Sequence, residues 1–181
     1  GMTVTSTSGT FTLASGKTLT VNNSITFSGT DSTTMTFPST SSTLAAIGDV
    51  YFTLQCNFAS FNPADATTYY FGSSYTLTAG TGATARIQYI PLDCTIIGYS
   101  FSCSATSGGA ETSSVYVRIN NTTDVTLTTN YVINAGGNAS AFNINSNITA
   151  GDYFNIKWVT PTWTTNPTAV TGTLTLYLKR R

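Results

Sequence analysis

The side chains of this sequence best suited to acid–base chemistry are its seven acids: Asp31, Asp49, Asp65, Asp93, Glu111, Asp124 and Asp152. Glycoside hydrolysis needs two carboxylates held as a pair across the scissile bond. Here they are scattered singly, and most stand beside Gly, Pro or a turn, where a short carboxylate caps backbone N–H groups. The chain has no histidine, so a Ser or Cys nucleophile lacks its usual base. Cys56, Cys94 and Cys103 are odd in number, which argues against a disulfide framework. They are also too few and too far apart for a cysteine-only zinc site. Cys103 continues the alternation Ile97, Tyr99, Phe101 and is expected to be a buried free thiol. The sequence therefore reads as non-enzymatic, with no metal and no cofactor.

Binding is the other chemistry to weigh. Trp163 lies between Pro161 and Pro167 in a Thr/Asn loop. An exposed aromatic there could stack on a sugar or anchor a protein, and the bland alternative is a cap over the core or a subunit contact. Tyr69, Tyr70 and Phe71 are consecutive, so they must face both sides of a strand, and at least one is expected at a surface. Tyr70 is thus a candidate for a ligand site or for a seam between copies. Tyr131 and the loop Gly136 to Ser140, with Asn138, are further candidates, whereas Trp158 sits on an inward alternation and is expected in the core. The Asn-x-Ser/Thr triplets at Asn22, Asn121, Asn138 and Asn147 are what a chain rich in Asn, Ser and Thr produces by chance.

Charge excludes other partners. Seven Lys and Arg balance seven Asp and Glu, and charged residues make up 8% of the chain. No basic face is available for nucleic acid, and Lys179-Arg180-Arg181 reads as a solvated tail. No apolar run approaches the roughly 18 residues of a membrane span, so no membrane insertion is expected.

The elements that must position these residues are strands. Ten Tyr, ten Phe and abundant Thr, Ser, Asn and Gly favour an all-β chain. Residues 50–56, 94–105, 115–119, 154–158 and 172–179 alternate with period two. Shorter runs at 69–71, 75–77, 86–90, 125–127, 131–133 and from Phe142 fill the gaps, and Gly136-Gly137-Asn138 reads as a loop. Roughly eight to ten short strands without a helix predict an antiparallel jelly-roll β-sandwich over 48–181. Its first and last strands should lie side by side.

The first part of the chain differs. From Phe11 to Leu44 short apolar pairs are separated by turn residues: Ser15-Gly16-Lys17, Asn22-Asn23-Ser24, Ser28-Gly29-Thr30-Asp31 and Pro38. Its few large apolar side chains cannot offset the conformational cost of ordering the segment. Residues 1–47 are therefore expected to be a β-strand shaft and neck that needs other copies, or a neighbouring domain, to cover its apolar face. Gly1-Met2 reads as a tag remnant, with upstream sequence missing.

The stretch LASGKTLTVNNSITFSGTDSTTMTFPSTSSTLA resembles repeats of bacteriophage tail-fibre and appendage proteins, in which punctuated short strands wrap into a trimeric β-structure. The run Ile148 to Ile156 and the last strand, Leu174 to Leu178, are similar to the trimeric jelly-roll heads of the C1q/TNF-like kind. The resemblance implies a homotrimer on a virion surface that attaches to a host cell-surface glycan or protein. A bacterial surface adhesin, or a purely structural decoration or spike protein, is the alternative.

Overall fold

The computed structural model describes residues 14–18, 20, 22, 24, 50–72, 78–80, 86–133 and 137–181. The chain divides into two compact units, Gly1–Ser42 and Thr43–Arg181. The shaft predicted over 1–47 lies outside the described residues, apart from isolated positions such as the turn in which Lys17 N–H reaches the Ala14 carbonyl at 3.1 Å. Everything below concerns the second unit.

No helix forms among the described residues; the chain is all-β. The strands are β1 (Tyr51–Phe61), β2 (Thr68–Phe71), β3 (Thr78–Ala79), β4 (Gln88–Tyr89), β5 (Cys94–Ser104), β6 (Thr112–Ile119), β7 (Thr123–Val132), β8 (Gly137–Ile148), β9 (Tyr153–Val159) and β10 (Val170–Arg180). One sheet runs β1-β10-β5-β8; the other runs β3-β2-β9-β6-β7, with β4 also on β9. Setting aside the two-residue β3 and β4, the pairings are nested: β1 with β10, β2 with β9, β5 with β8 and β6 with β7. The chain is a single long antiparallel ribbon rolled up, and β10–β5 and β9–β6 close the roll. That is the jelly roll. The expected pairing of first and last strands is present, from Tyr51 opposite Lys179 to Phe61 opposite Val170.

Alternation builds the core. Cys56 and Phe58 on β1, Phe101 and Cys103 on β5, Phe154, Ile156 and Trp158 on β9, and Leu174, Leu176 and Leu178 on β10 are all buried. Phe58 is the centre of an aromatic cluster: its ring lies 4.9 Å from Phe71, 5.6 Å from Phe61 and stacked 5.7 Å from Trp158. Each such pair adds about 0.5–1.5 kcal/mol beyond the burial of its area. Gly172 faces Phe58 across the β1–β10 ladder. A Cβ there would run into the Phe58 ring and come within 2.8 Å of Cys103 Sγ. The missing side chain makes room for the cluster.

Several expectations are corrected. β1 runs on past the predicted 50–56 to Phe61, which brings Phe58 and Phe61 into the strand. The runs 125–127 and 131–133 fuse into β7. Gly137 and Asn138 open β8 instead of forming a loop. β8 was hidden by its own irregularity: Asn143 and Asn145 take left-handed φ values of 76° and 54°, and the register against β5 slips between Ile96 and Gly98. Asn tolerates that conformation better than most residues, and the bulge breaks the alternation that would have marked the strand. Tyr69, Tyr70 and Phe71 are all buried, against the expectation that one would be at a surface.

Candidate functional site

The site is best built from the register of the β1-β10-β5-β8 sheet, because its outer face is set by side chains from four strands far apart in sequence. Each step of two residues along β1 moves one row along this face. The rows are Asn57–Thr173–Ser102–Asn138, Gln55–Thr175–Ser100–Ser140, Thr53–Tyr177–Gly98–Phe142 and Tyr51–Lys179–Thr95–Asn147. Lys179 is the single charged residue in them.

The first two rows form a surface of hydroxyls and amides. Here a cleft of about 650 Å³ is lined by Gln55, Asn57, Ser102, Ser104, Asn138, Thr171 and Thr173, with Phe58, Cys103, Gly137 and Gly172 beneath. Ser104 and Thr171 share a hydrogen bond at 2.8 Å along its rim. Asn57 Oδ1 is enclosed and has no hydrogen-bond donor. A buried acceptor left open costs stability; the groups open to a ligand are those of the exposed lining residues Gln55, Ser102, Ser104 and Asn138. No charged side chain lines the cleft, so it suits a neutral ligand offering hydroxyls and amides.

The other two rows are aromatic. Phe142 is 61% and Tyr51 58% exposed, and Val50 beside Tyr51 is 43% exposed. The Phe142 and Tyr177 rings lie 5.2 Å apart, and Lys179 Nζ sits 5.6 Å above the Tyr51 ring. Gly98 creates the shelf: a Cβ there would stand 2.6 Å from Phe142 Cδ1 and 2.7 Å from the Ala141 carbonyl. Tyr51, Phe52, Thr53, Ile97, Phe142, Tyr177 and Leu178 line a second hollow of about 430 Å³.

The four candidates from sequence separate cleanly. Asn138 is exposed and lines the cleft. Trp163, Tyr131 and Tyr70 are buried at 5%, 2% and 6% exposure and offer no face to a ligand. Trp163 caps the core because its loop is folded back: its N–H donates to Asp65 Oδ1 at 3.0 Å, and Asn166 Nδ2 donates to the same oxygen at 3.2 Å. Thr160 Oγ1 fixes the start of that loop, accepting from Thr67 N–H at 3.0 Å and donating to the Ala64 carbonyl at 2.9 Å. Tyr131 packs on Phe101 at 4.6 Å. Its hydroxyl accepts from Cys103 N–H and donates to the Gly137 carbonyl. Tyr70 is enclosed on the outer side of β2, opposite Lys157. Gln55, Asn57 and Thr173 were missed. The only sequence signal for them was their polar place in the alternation of β1 and β10.

The described acids are occupied with structure. Asp152 accepts from Asn120 Nδ2 at 2.7 Å and Thr149 N–H at 2.9 Å, and these bonds hold its carboxyl below the ordinary range. Asp93 accepts from Ala150 N–H, and Glu111 from Thr164 N–H. Asp124 differs, since it lies in β7 between Arg118 at 2.9 Å and Lys157 at 2.6 Å. Asp31 and Asp49 lie outside the described residues. Cys56, Cys94 and Cys103 are free and buried, as expected for Cys103. Burial pushes the Cys56 and Cys103 thiols up to about 12. Among the described residues no three acidic or cysteine side chains converge on one point.

No family model matches this sequence, and no curated protein matches it. Among solved structures, the chain is similar to the crystal structure of FLHE, at 10% identity over 72% of this chain and 98% of that one, with a TM-score of 0.42. It is also similar to a chain of the cyanophage Pam1 capsid asymmetric unit, at 14% identity over 80% of this chain and all of that one, with a TM-score of 0.43. Both likenesses are too weak to argue from, so the jelly-roll assignment stands on the nested strand pairing described above.

Proposed function

We propose that this chain is a non-enzymatic component of a bacteriophage particle, the homotrimeric tip of a tail fibre or appendage that attaches to the host surface. The sequence of residues 11–46 supports the setting through its resemblance to fibre repeats. The observation that carries the attachment reading is the cleft over Asn57, Thr173, Ser102 and Asn138. It is uncharged, rich in donors and acceptors, and floored by Phe58, Cys103 and two glycines. Pre-organised polar groups of this kind bind without first having to be ordered. The ligand is a neutral host-surface glycan or a protein segment presenting amides and hydroxyls.

The test is binding of the labelled full chain to host cells and to a panel of neutral and acidic glycans. Saturable binding, lost on Asn57→Ala with Asn138→Ala, is the expected result. Absence of binding to every host and glycan tried would leave a decoration protein instead. Light scattering on the same preparation reads the copy number.

A further inference from the structure

Three of the four large apolar residues exposed among those described are Val50, Tyr51 and Phe142. Tyr51 and Phe142 lie at one end of the outer face of the β1-β10-β5-β8 sheet, and Val50 directly precedes Tyr51 where the chain enters. The fourth, Tyr89, belongs to the other sheet and packs against Tyr153 at 5.8 Å. Scattered single apolar residues are ordinary on a surface, but a grouped patch marks an interaction site. This patch has structure of its own: Phe142 lies over Gly98 and beside Tyr177, and Tyr51 carries the Lys179 ammonium above its ring.

We propose that the aromatic half of this face is where copies of the chain meet each other. The inference rests on the multi-copy reading above and adds the surface to it. Two observations select a second copy over another occupant. The first is charge. The four rows contain one cation and no acid, and that cation already sits over an aromatic face. Two such faces can approach with little like-charge repulsion: the rows hold no acid for a basic partner and, for an acidic one, only the Lys179 ammonium above the Tyr51 ring. The second is the point of chain entry. The 49 residues ahead of Val50 join the head at the edge of the patch. If those segments associate, they deliver the patches of neighbouring copies to the same place. The polar cleft begins in the next row, at Gln55, and extends away from the patch towards Asn57 and Asn138.

Two measurements on the full chain test this. Light scattering should give wild-type protein a mass of several times 19.1 kDa. Tyr51→Glu with Phe142→Glu should lower that mass or loosen the particle, while circular dichroism stays that of a β-protein. Tyr89→Glu should change neither. Thiol labelling covers the case in which the upstream segment alone holds the copies together. The three native cysteines are buried, so a cysteine introduced on the surface is the reactive one. Position 142 is 61% and position 89 is 67% exposed in the single chain. Phe142→Cys is expected to react at least tenfold more slowly than Tyr89→Cys in protein of wild-type mass.

A monomeric wild type overturns both the multi-copy reading and this surface. An oligomeric wild type whose mass is unmoved by the double variant, and in which positions 142 and 89 label equally fast, overturns the surface alone.

Discussion

The Tyr131 hydroxyl accepts the Cys103 N–H at 2.7 Å and donates to the Gly137 carbonyl at 2.8 Å. A side chain of one sheet thus satisfies two backbone groups of the other. Burial pushes the phenol well above its ordinary range, so it stays protonated and can keep donating. Tyr131→Phe keeps the ring against Phe101 and takes the hydroxyl partner from the buried Cys103 N–H and from the half-buried Gly137 carbonyl. An unpaired buried group costs about 1–3 kcal/mol, and a loss of that order is expected in urea unfolding. An unchanged midpoint and slope would show that the latch contributes nothing.

Gly172 leaves no slack. A methyl group there meets the Phe58 ring and Cys103 Sγ at the centre of the aromatic cluster. Overpacking a closed core costs about 1–3 kcal/mol, and Gly172→Ala should destabilise within that range. Phe58→Leu in the same chain should recover part of the loss by making room. If the double variant is as unstable as the two single losses added together, the clash is not the cause.

Asp124 gives the stability a pH dependence of known sign. Its partial burial alone would raise the carboxyl, but hydrogen bonds and charge from Lys157 and Arg118 outweigh that and hold it below its ordinary value of 3.8. A lowered carboxyl contributes stability that is complete above the unfolded value and fades as pH falls through the folded one. The pair is partly exposed, with 26% of the Asp124 side chain accessible. The contribution is therefore only about 0–1 kcal/mol. Melting temperatures of wild type and Asp124→Asn should differ slightly at pH 6 and converge towards pH 3. A gap that widens on acidification would reverse the argument.

The cleft predicts a separation of binding from stability. Asn57 Oδ1 already lacks a donor, so Asn57→Ala removes an unsatisfied group and should leave the melting temperature unchanged or slightly raised. Asn138 is exposed at the rim. Together the two substitutions should weaken attachment at least tenfold, about 1.4 kcal/mol. Equal host-cell binding by the double variant and the wild type would remove the cleft from the attachment reading.

What could be read from sequence follows from which features are local. Alternation marked Tyr99 to Ser104, Phe154 to Trp158 and Leu174 to Leu178, because each keeps its period; at the start of β5 it slips, so that Ile96 is buried and Ile97, expected inward, lines the outer hollow. It failed in β8, where Asn143 and Asn145 turn left-handed and Gly137 opens the strand in what looked like a turn. Trp163, with Pro, Thr and Asn as neighbours, left both a ligand contact and a cap over the core open from sequence, and the cap is what forms. It is buried because Asp65, about a hundred positions earlier, accepts its N–H. The cleft was nearly invisible for the same reason. Asn57, Thr173, Ser102 and Asn138 become neighbours only through the registers of three strand pairs, and no local signal encodes a register between distant strands. Asn138 alone was singled out, and for its place in a glycine-rich stretch read as a loop.

The pairing of β1 with β10 also has a mechanical meaning. The chain enters the head at Val50, whereas Asn57 lies at the other end of the same ladder. A ligand held over Thr173 on β10, opposite Asn57, and a tether pulling on Val50 at the start of β1 would load the two strands in opposite directions along their axis, across hydrogen bonds that run perpendicular to it. The load is then shared by the whole β1–β10 ladder in shear, instead of opening its bonds one after another from an end. A head wired in this way resists a steady drag better than its modest charge and small size would suggest.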